Sequence, residues 1–126
     1  MSYTLDWKPR GVVKHFSGFV TGAEFFRSFL DVTGSIDFDN LKFIINDFSN
    51  AINHSINQDT FEDIIAMRHG ASNTRSNIYT AIITTDIRFV EIADTVNSRL
   101  PDGVPKTEVF PTLTLANEWI AKQSIC

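Results

Sequence analysis

At 126 residues, 43% apolar and 21% charged, the chain has the size and composition of one globular domain, residues 1–126, and is neither disordered nor fibrous. Its formal charge is −4, with the acidic excess in residues 1–63 and the basic residues scattered singly, so no nucleic acid partner is expected. The lone Cys126 cannot form an internal disulfide, and residues 1–11 carry Asp6, Lys8 and Arg10 without an apolar segment; a cytoplasmic, reducing location is expected.

Tyr3, Leu5 and Trp7 alternate with Thr4, Asp6 and Lys8, which predicts a half-buried strand over 3–8. Pro9-Arg10-Gly11 is a turn signal, and 12–20 reads as the second arm of a hairpin. Thr21 and Glu24 have the spacing of a capping box, opening a helix with Phe25, Phe26, Phe29 and Leu30 on one face and Gly34 as its stop. A third strand is predicted over 41–48, followed by a polar loop over 49–57. A second helix follows, starting at Asn57 or Asp59, with Phe61, Ile64, Ile65, Arg68 and Ala71 at helical spacing. Its Gly70-Ala71-Ser72 step fits close packing on the sheet or a local kink. Residues 78–84 read as the fourth strand. Asp86 then caps a helix striped by Phe89, Ile92, Ala93, Val96 and Leu100, which Pro101-Asp102-Gly103 ends. The last strand lies within 104–110, and Thr112 or Thr114 starts a helix with Leu115, Ala116, Trp119 and Ile120. The order β-β-α-β-α-β-α-β-α implies an α/β fold with parallel crossovers and an antiparallel first strand, a five-stranded mixed sheet.

Alternation assigns Val12, Phe16, Leu41, Phe43 and Ile45 to the helix-covered face of that sheet. Val13, His15, Ser17, Lys42, Ile44, Asn46 and, depending on register, Thr80 and Thr84 fall on the other, a half-polar face open to solvent or to a partner. The longest apolar runs, 43–45 and 81–83, are far too short to span a bilayer, so no integral membrane association is expected.

Few residues suggest chemistry. Asp47 ends a buried strand, at the carboxyl edge where α/β proteins place ligands. An Asx residue there also accepts backbone amides of its own loop, and that reading is favoured. His15, His54 and His69 have no ligand spacing, so no metal is expected. Asp37-Phe38-Asp39-Asn40 mimics half a calcium loop, but Lys42 stands at its glycine position. No glycine-rich loop offers a phosphate cradle, and no cofactor is expected. Ser49 or Ser55 with His54 and Asp47 could form a hydrolytic triad on paper, but neither serine lies in a nucleophile elbow. Asn53-His54-Ser55 also spells a glycosylation sequon, set aside as chance without secretion.

Four segments together resemble a family. They are 18–25 (Gly-Phe-Val-Thr-Gly-Ala-Glu-Phe), 44–49 (Ile-Ile-Asn-Asp-Phe-Ser), 81–84 (Ala-Ile-Ile-Thr), and 109–113 (Val-Phe-Pro-Thr-Leu) with Ala116, Trp119 and Ile120. In that order they resemble the small bacterial SpoIIAA-like proteins, relatives of the STAS domains of anti-sigma-factor antagonists. The resemblance implies a β-α superhelix with strands in sequential order, helices mainly on one face, and binding rather than catalysis. In the antagonists a serine just after the third strand is phosphorylated by a partner kinase, which switches partner binding. Ser55 stands near that position, within Asn53-His54-Ser55-Ile56 where the antagonists have Asp-Ser-Ser-Gly. Lipid carriers of the CRAL-TRIO type have related sheets.

The expectation is therefore a non-enzymatic SpoIIAA-like domain that binds a regulatory protein through the loop 47–57 and the second helix. Asp47, Ser49, Asn53, His54 and Ser55 are its candidate binding residues. The alternative is a carrier for an apolar small molecule or lipid, held between helices and sheet; a homodimer is compatible with either.

Overall fold

Two residue pairs show how the chain starts. Tyr3 lies opposite Phe16 and Lys8 opposite Gly11, so β1 (Tyr3–Lys8) and β2 (Gly11–Val20) form the expected antiparallel hairpin. The turn is tight: Arg10 takes φ 68°, and a Cβ on Gly11 would lie 2.2 Å from the Phe43 ring, so glycine is required there. The computed structural model describes residues 2–35, 41–57, 59–63, 78–99 and 105–123. Within these, β3 (Phe43–His54), β4 (Tyr79–Ile83) and β5 (Glu108–Phe110) continue the sheet in parallel, in the order β1-β2-β3-β4-β5. The helices are α1 (Gly22–Thr33), α2 (described over residues 59–63), α3 (Ile87–Asn97) and α4 (Leu113–Lys122).

Each helix begins where a side chain can satisfy its first amides. Thr21 and Glu24 form the full capping box on α1, and Thr60 N–H donates to Asn57 at 3.1 Å, which settles the start of α2. Asp86 caps α3 and Thr112 caps α4. Gly34 ends α1 as expected, though in a right-handed conformation, its N–H bonded to Leu30 O.

The front face of the sheet carries α1, α2 and α3. Phe16 and Phe48 stack at 4.5 Å and 5° on the strands, and Phe25, Phe29, Phe61 and Phe89 close over them. Burying each such ring contributes about 2–3 kcal/mol. Tyr3 seals one side of this cluster; burial, helped by its hydrogen bond to Asp31, pushes its phenol up to about 12. The back face carries α4, whose Ala116, Trp119 and Ile120 pack on Ile45, Ala81 and Ile83. Helices thus sit mainly on one face, three against one.

Three expectations need correction. Register places Val12 opposite Ile44, so the front face joins Val12 and Phe16 with Ile44, Asn46 and Phe48. Val13, His15, Phe43, Ile45 and Asp47 share the back. The predicted grouping of Val12 with Phe43 and Ile45 was one residue out of step, which inverts every side chain of a strand; with Phe43, Ile44 and Ile45 all apolar, hydropathy could not choose. The back face is also not left open: α4 covers its centre, and the strip bearing Thr4, Asp6 and His15 is what stays accessible. Finally, β3 does not stop at Phe48. β2 reaches Val20, and its end pairs with the polar stretch, Ser17 opposite Asn50 and Val20 opposite His54, with register shifts after His15 and after Gly18. Gly18 takes φ 67° there, the left-handed region glycine allows.

One buried charge went unnoticed in the sequence. Lys14, 2% exposed, lies on the front face between Val12 and Phe16; its Nζ is 3.1 Å from Ser28 Oγ and sits over the Phe25 ring. Asp37-Phe38-Asp39-Asn40, Ile64, Ile65, Arg68, His69, Gly70-Ala71-Ser72, Leu100 to Gly103 and Cys126 lie outside the described residues.

Candidate functional site

The long β2–β3 pair carries its residues past the body of the sheet to the carboxyl edge, where the first turns of α1, α2 and α3 also converge. Asp47 stands at the base. Its Oδ1 accepts the Ser49 N–H at 2.9 Å and the Ser49 hydroxyl at 2.5 Å, the local Asx role expected of it. Its Oδ2 faces His15 Nδ1 at 3.1 Å, and His15 Nε2 lies 3.9 Å from Asp6.

His54 is the buried centre of the edge. Its ring lies against Phe89, centroids 4.4 Å apart, with Phe48 on a further side. Ile56 N–H donates to Nδ1 at 3.0 Å, so the ring proton is on Nε2 and donates to Asp86 Oδ2 at 3.3 Å. Asp86 does three things at once: it caps α3 through the Arg88 N–H, binds the Arg88 guanidinium, and receives His54. The Arg88 hydrogen bonds foremost, with its backbone amide and His54 adding, hold the Asp86 carboxyl well below the usual carboxylate range. Arg88 also reaches Asn53 Oδ1 at 3.1 Å, so the end of β3 is tied to the start of α3. Ser55, exposed, donates its N–H to Val20 O and accepts the Gly22 N–H of α1 on its hydroxyl oxygen at 3.2 Å.

Around this network the edge is open. A cavity of about 320 Å³ is lined by Phe48, Ile52, Asn53, His54, Asp86 and Phe89, among others. It lies at the sheet edge, not between helices and sheet where the alternative reading holds an apolar ligand. Ile52 is 87% exposed, Ile87 67% and Phe19 54%, three large apolar side chains on the same edge. The paper triad does not assemble: Asp47 pairs with His15, His54 pairs with Asp86, Ser49 donates to Asp47, and Ser55 bonds Gly22. Among the described residues no group of three His, Cys, Asp or Glu side chains could hold a metal ion, and no helix is long and apolar enough to cross a membrane.

Of the candidate residues, Asn53, His54 and Ser55 meet at the edge, with Asp47 and Ser49 one step below. Sequence reasoning missed the second roles of His15, Asp86 and Arg88. Asp86 was legible only as a helix cap; nothing in its neighbourhood names a histidine 32 residues away.

The fold has solved counterparts. The anti-sigma factor antagonist SpoIIAA, in its unphosphorylated form, matches with a TM-score of 0.65 at 10% identity, over 96% of this chain and 99% of that one. An uncharacterised protein of the DUF3478 family from Shewanella loihica PV-4, with a SpoIIAA-like fold, matches with a TM-score of 0.58 at 12% identity, over 93% and 90%. No protein-family profile matches the chain, and no curated protein does. The chain has the SpoIIAA-like fold that the sequence resemblance implied.

Proposed function

We propose that the chain is a single regulatory protein-interaction domain, non-enzymatic and cytoplasmic, that binds a protein partner through the carboxyl edge of its sheet. The observation that carries this reading is the exposed apolar set Phe19, Ile52 and Ile87 around a fixed polar frame, on a fold shared with an anti-sigma factor antagonist. Transient protein surfaces combine apolar contacts with a polar rim in this way. In this reading Ile52, Asn53 and Ser55 touch the partner, whereas Asp47, Ser49 and His54 hold the edge in shape. Ser55 is also where a phosphate would act: its hydroxyl oxygen accepts the first amide of α1, and a doubly charged group there would take up that helix N-terminus more strongly and add negative charge to the edge.

The test is partner capture from the native cell with the full chain, comparing wild type, Ile52→Asp, Ser55→Glu and Leu115→Asp, the last on the exposed side of α4. A partner kept by Leu115→Asp and lost from Ile52→Asp and Ser55→Glu is the expected result. Partners indifferent to both edge variants would remove the proposal.

A further inference from the structure

The other margin of the sheet carries a different kind of surface. β5 is its last strand, and its hydrogen-bond directions follow from one contact: Thr84 N–H donates to Phe110 O at 2.9 Å. With Ile83 opposite Phe110 and Ala81 opposite Glu108, the backbone groups of Glu108 and Phe110 turn inward to β4. Those of Thr107 and Val109 therefore turn outward, to the side where no strand follows among the described residues.

Thr107 is already satisfied, and by an unusual partner. The Asn97 side chain at the end of α3 donates its Nδ2–H to Thr107 O at 2.8 Å, and its Oδ1 accepts the Thr107 N–H at 2.9 Å. A carboxamide thus makes the pair of bonds that a neighbouring strand would make. It also shows that α3 stands beyond the β5 margin, with space left between them. One step further along β5, Val109 presents the next outward N–H and C=O, and no hydrogen bond engages either among the described residues. At that step α3 and β5 enclose a groove of about 450 Å³, floored by Val90, Ala93 and Val109 and rimmed by exposed Asp94, Lys106 and Glu108.

We propose that this groove takes an extended peptide segment of a partner protein, which adds to β5 as a short sixth strand. Val109 supplies the main-chain bonds, and Asn97 ends the groove by holding the place such a strand would take at Thr107. The floor selects one apolar side chain. Two carboxylates against one ammonium on the rim select Lys or Arg beside it. This surface is separate from the carboxyl edge of the sheet, shares no residue with the contacts proposed there, and stands or falls without them.

A random peptide library displayed against the intact chain tests it, with affinities of the selected peptides read by fluorescence anisotropy. The expected peptides carry an apolar residue flanked by Lys or Arg. Val109→Pro deletes the outward N–H and breaks no bond to β4, so it should weaken binding about fivefold or more, the worth of one backbone hydrogen bond. Val90→Arg, at a position 38% exposed, keeps the backbone intact and should abolish binding by filling the groove and repelling the basic flank. Circular dichroism checks that both variants fold, and Val90→Arg decides alone if Val109→Pro does not. Selected peptides that bind Val90→Arg as well as wild type, or the absence of any selected peptide, would overturn the proposal. So would wild-type dimerisation that Val90→Arg abolishes, since the occupant would then be a second copy of the chain.

Discussion

Two histidine–aspartate pairs stand at the same end of the sheet, each joining residues 32 apart at nearly the same distance, 3.1 Å for His15–Asp47 and 3.3 Å for His54–Asp86. Their surroundings separate them. The His54 side chain is 5% exposed, packed on Phe89, and both ring nitrogens are engaged. The His15 side chain is 36% exposed on the back strip, and its second nitrogen faces a carboxylate only at 3.9 Å. The His54–Asp86 pair pins β3 to α3; the His15–Asp47 pair joins a one-third exposed ring to a buried carboxylate. Proximity of the same two groups therefore says little about their worth, which burial and the satisfaction of every polar atom decide.

The contrast can be broken most decisively at His54. His54→Ala removes ring packing and leaves the buried Ile56 N–H without its acceptor, a loss of about 3 kcal/mol in urea denaturation. A loss under 1 kcal/mol would make the two pairs equivalent. The Asp86 substitution sharpens the comparison by pH. Asp86→Ala should cost about 1–2 kcal/mol near neutrality, through the lost cap and the lost His54 bond. Because the folded carboxyl titrates below its usual value, its contribution is complete above the unfolded carboxylate pKa of about 4 and is lost as pH falls toward the folded value. Denaturation curves of wild type and Asp86→Asn should thus differ near neutrality and converge as pH falls below about 4. A difference that grows as pH falls would contradict the assignment. The smallest effect belongs to His15→Ala, a loss of at most about 1 kcal/mol, because the ring is one-third exposed and the buried Asp47 carboxylate keeps its Ser49 bonds.

Much of the local structure was legible. The 3–8 alternation became β1 with those bounds, Thr21 and Asp86 cap helices where their spacing said they would, and Thr112, one of two candidates, caps the last. These features depend on a few neighbouring residues, so a short stretch of sequence contains their cause. The stretch from Ser49 to His54 was not legible in the same way. It is polar and reads as a loop, and it is a strand because the far end of β2 needs a partner there. Phe43, Ile44 and Ile45 are equally apolar, so only pairing could say which of them turn to α4. Lys14 carried a faint signal, sitting between two apolar residues of the same face, where alternation assigns it to the core.

The amino-acid sequence by itself thus determined the element order, the helix starts and the apolar mass of the front core, since propensity, capping and hydropathy act over a few residues. Strand register, the two histidine–aspartate pairs and the Asn97 clasp on Thr107 were decided only by the assembled sheet. Each joins groups that the chain brings together from a distance, and a one-residue slip would have chosen different partners from the same residues.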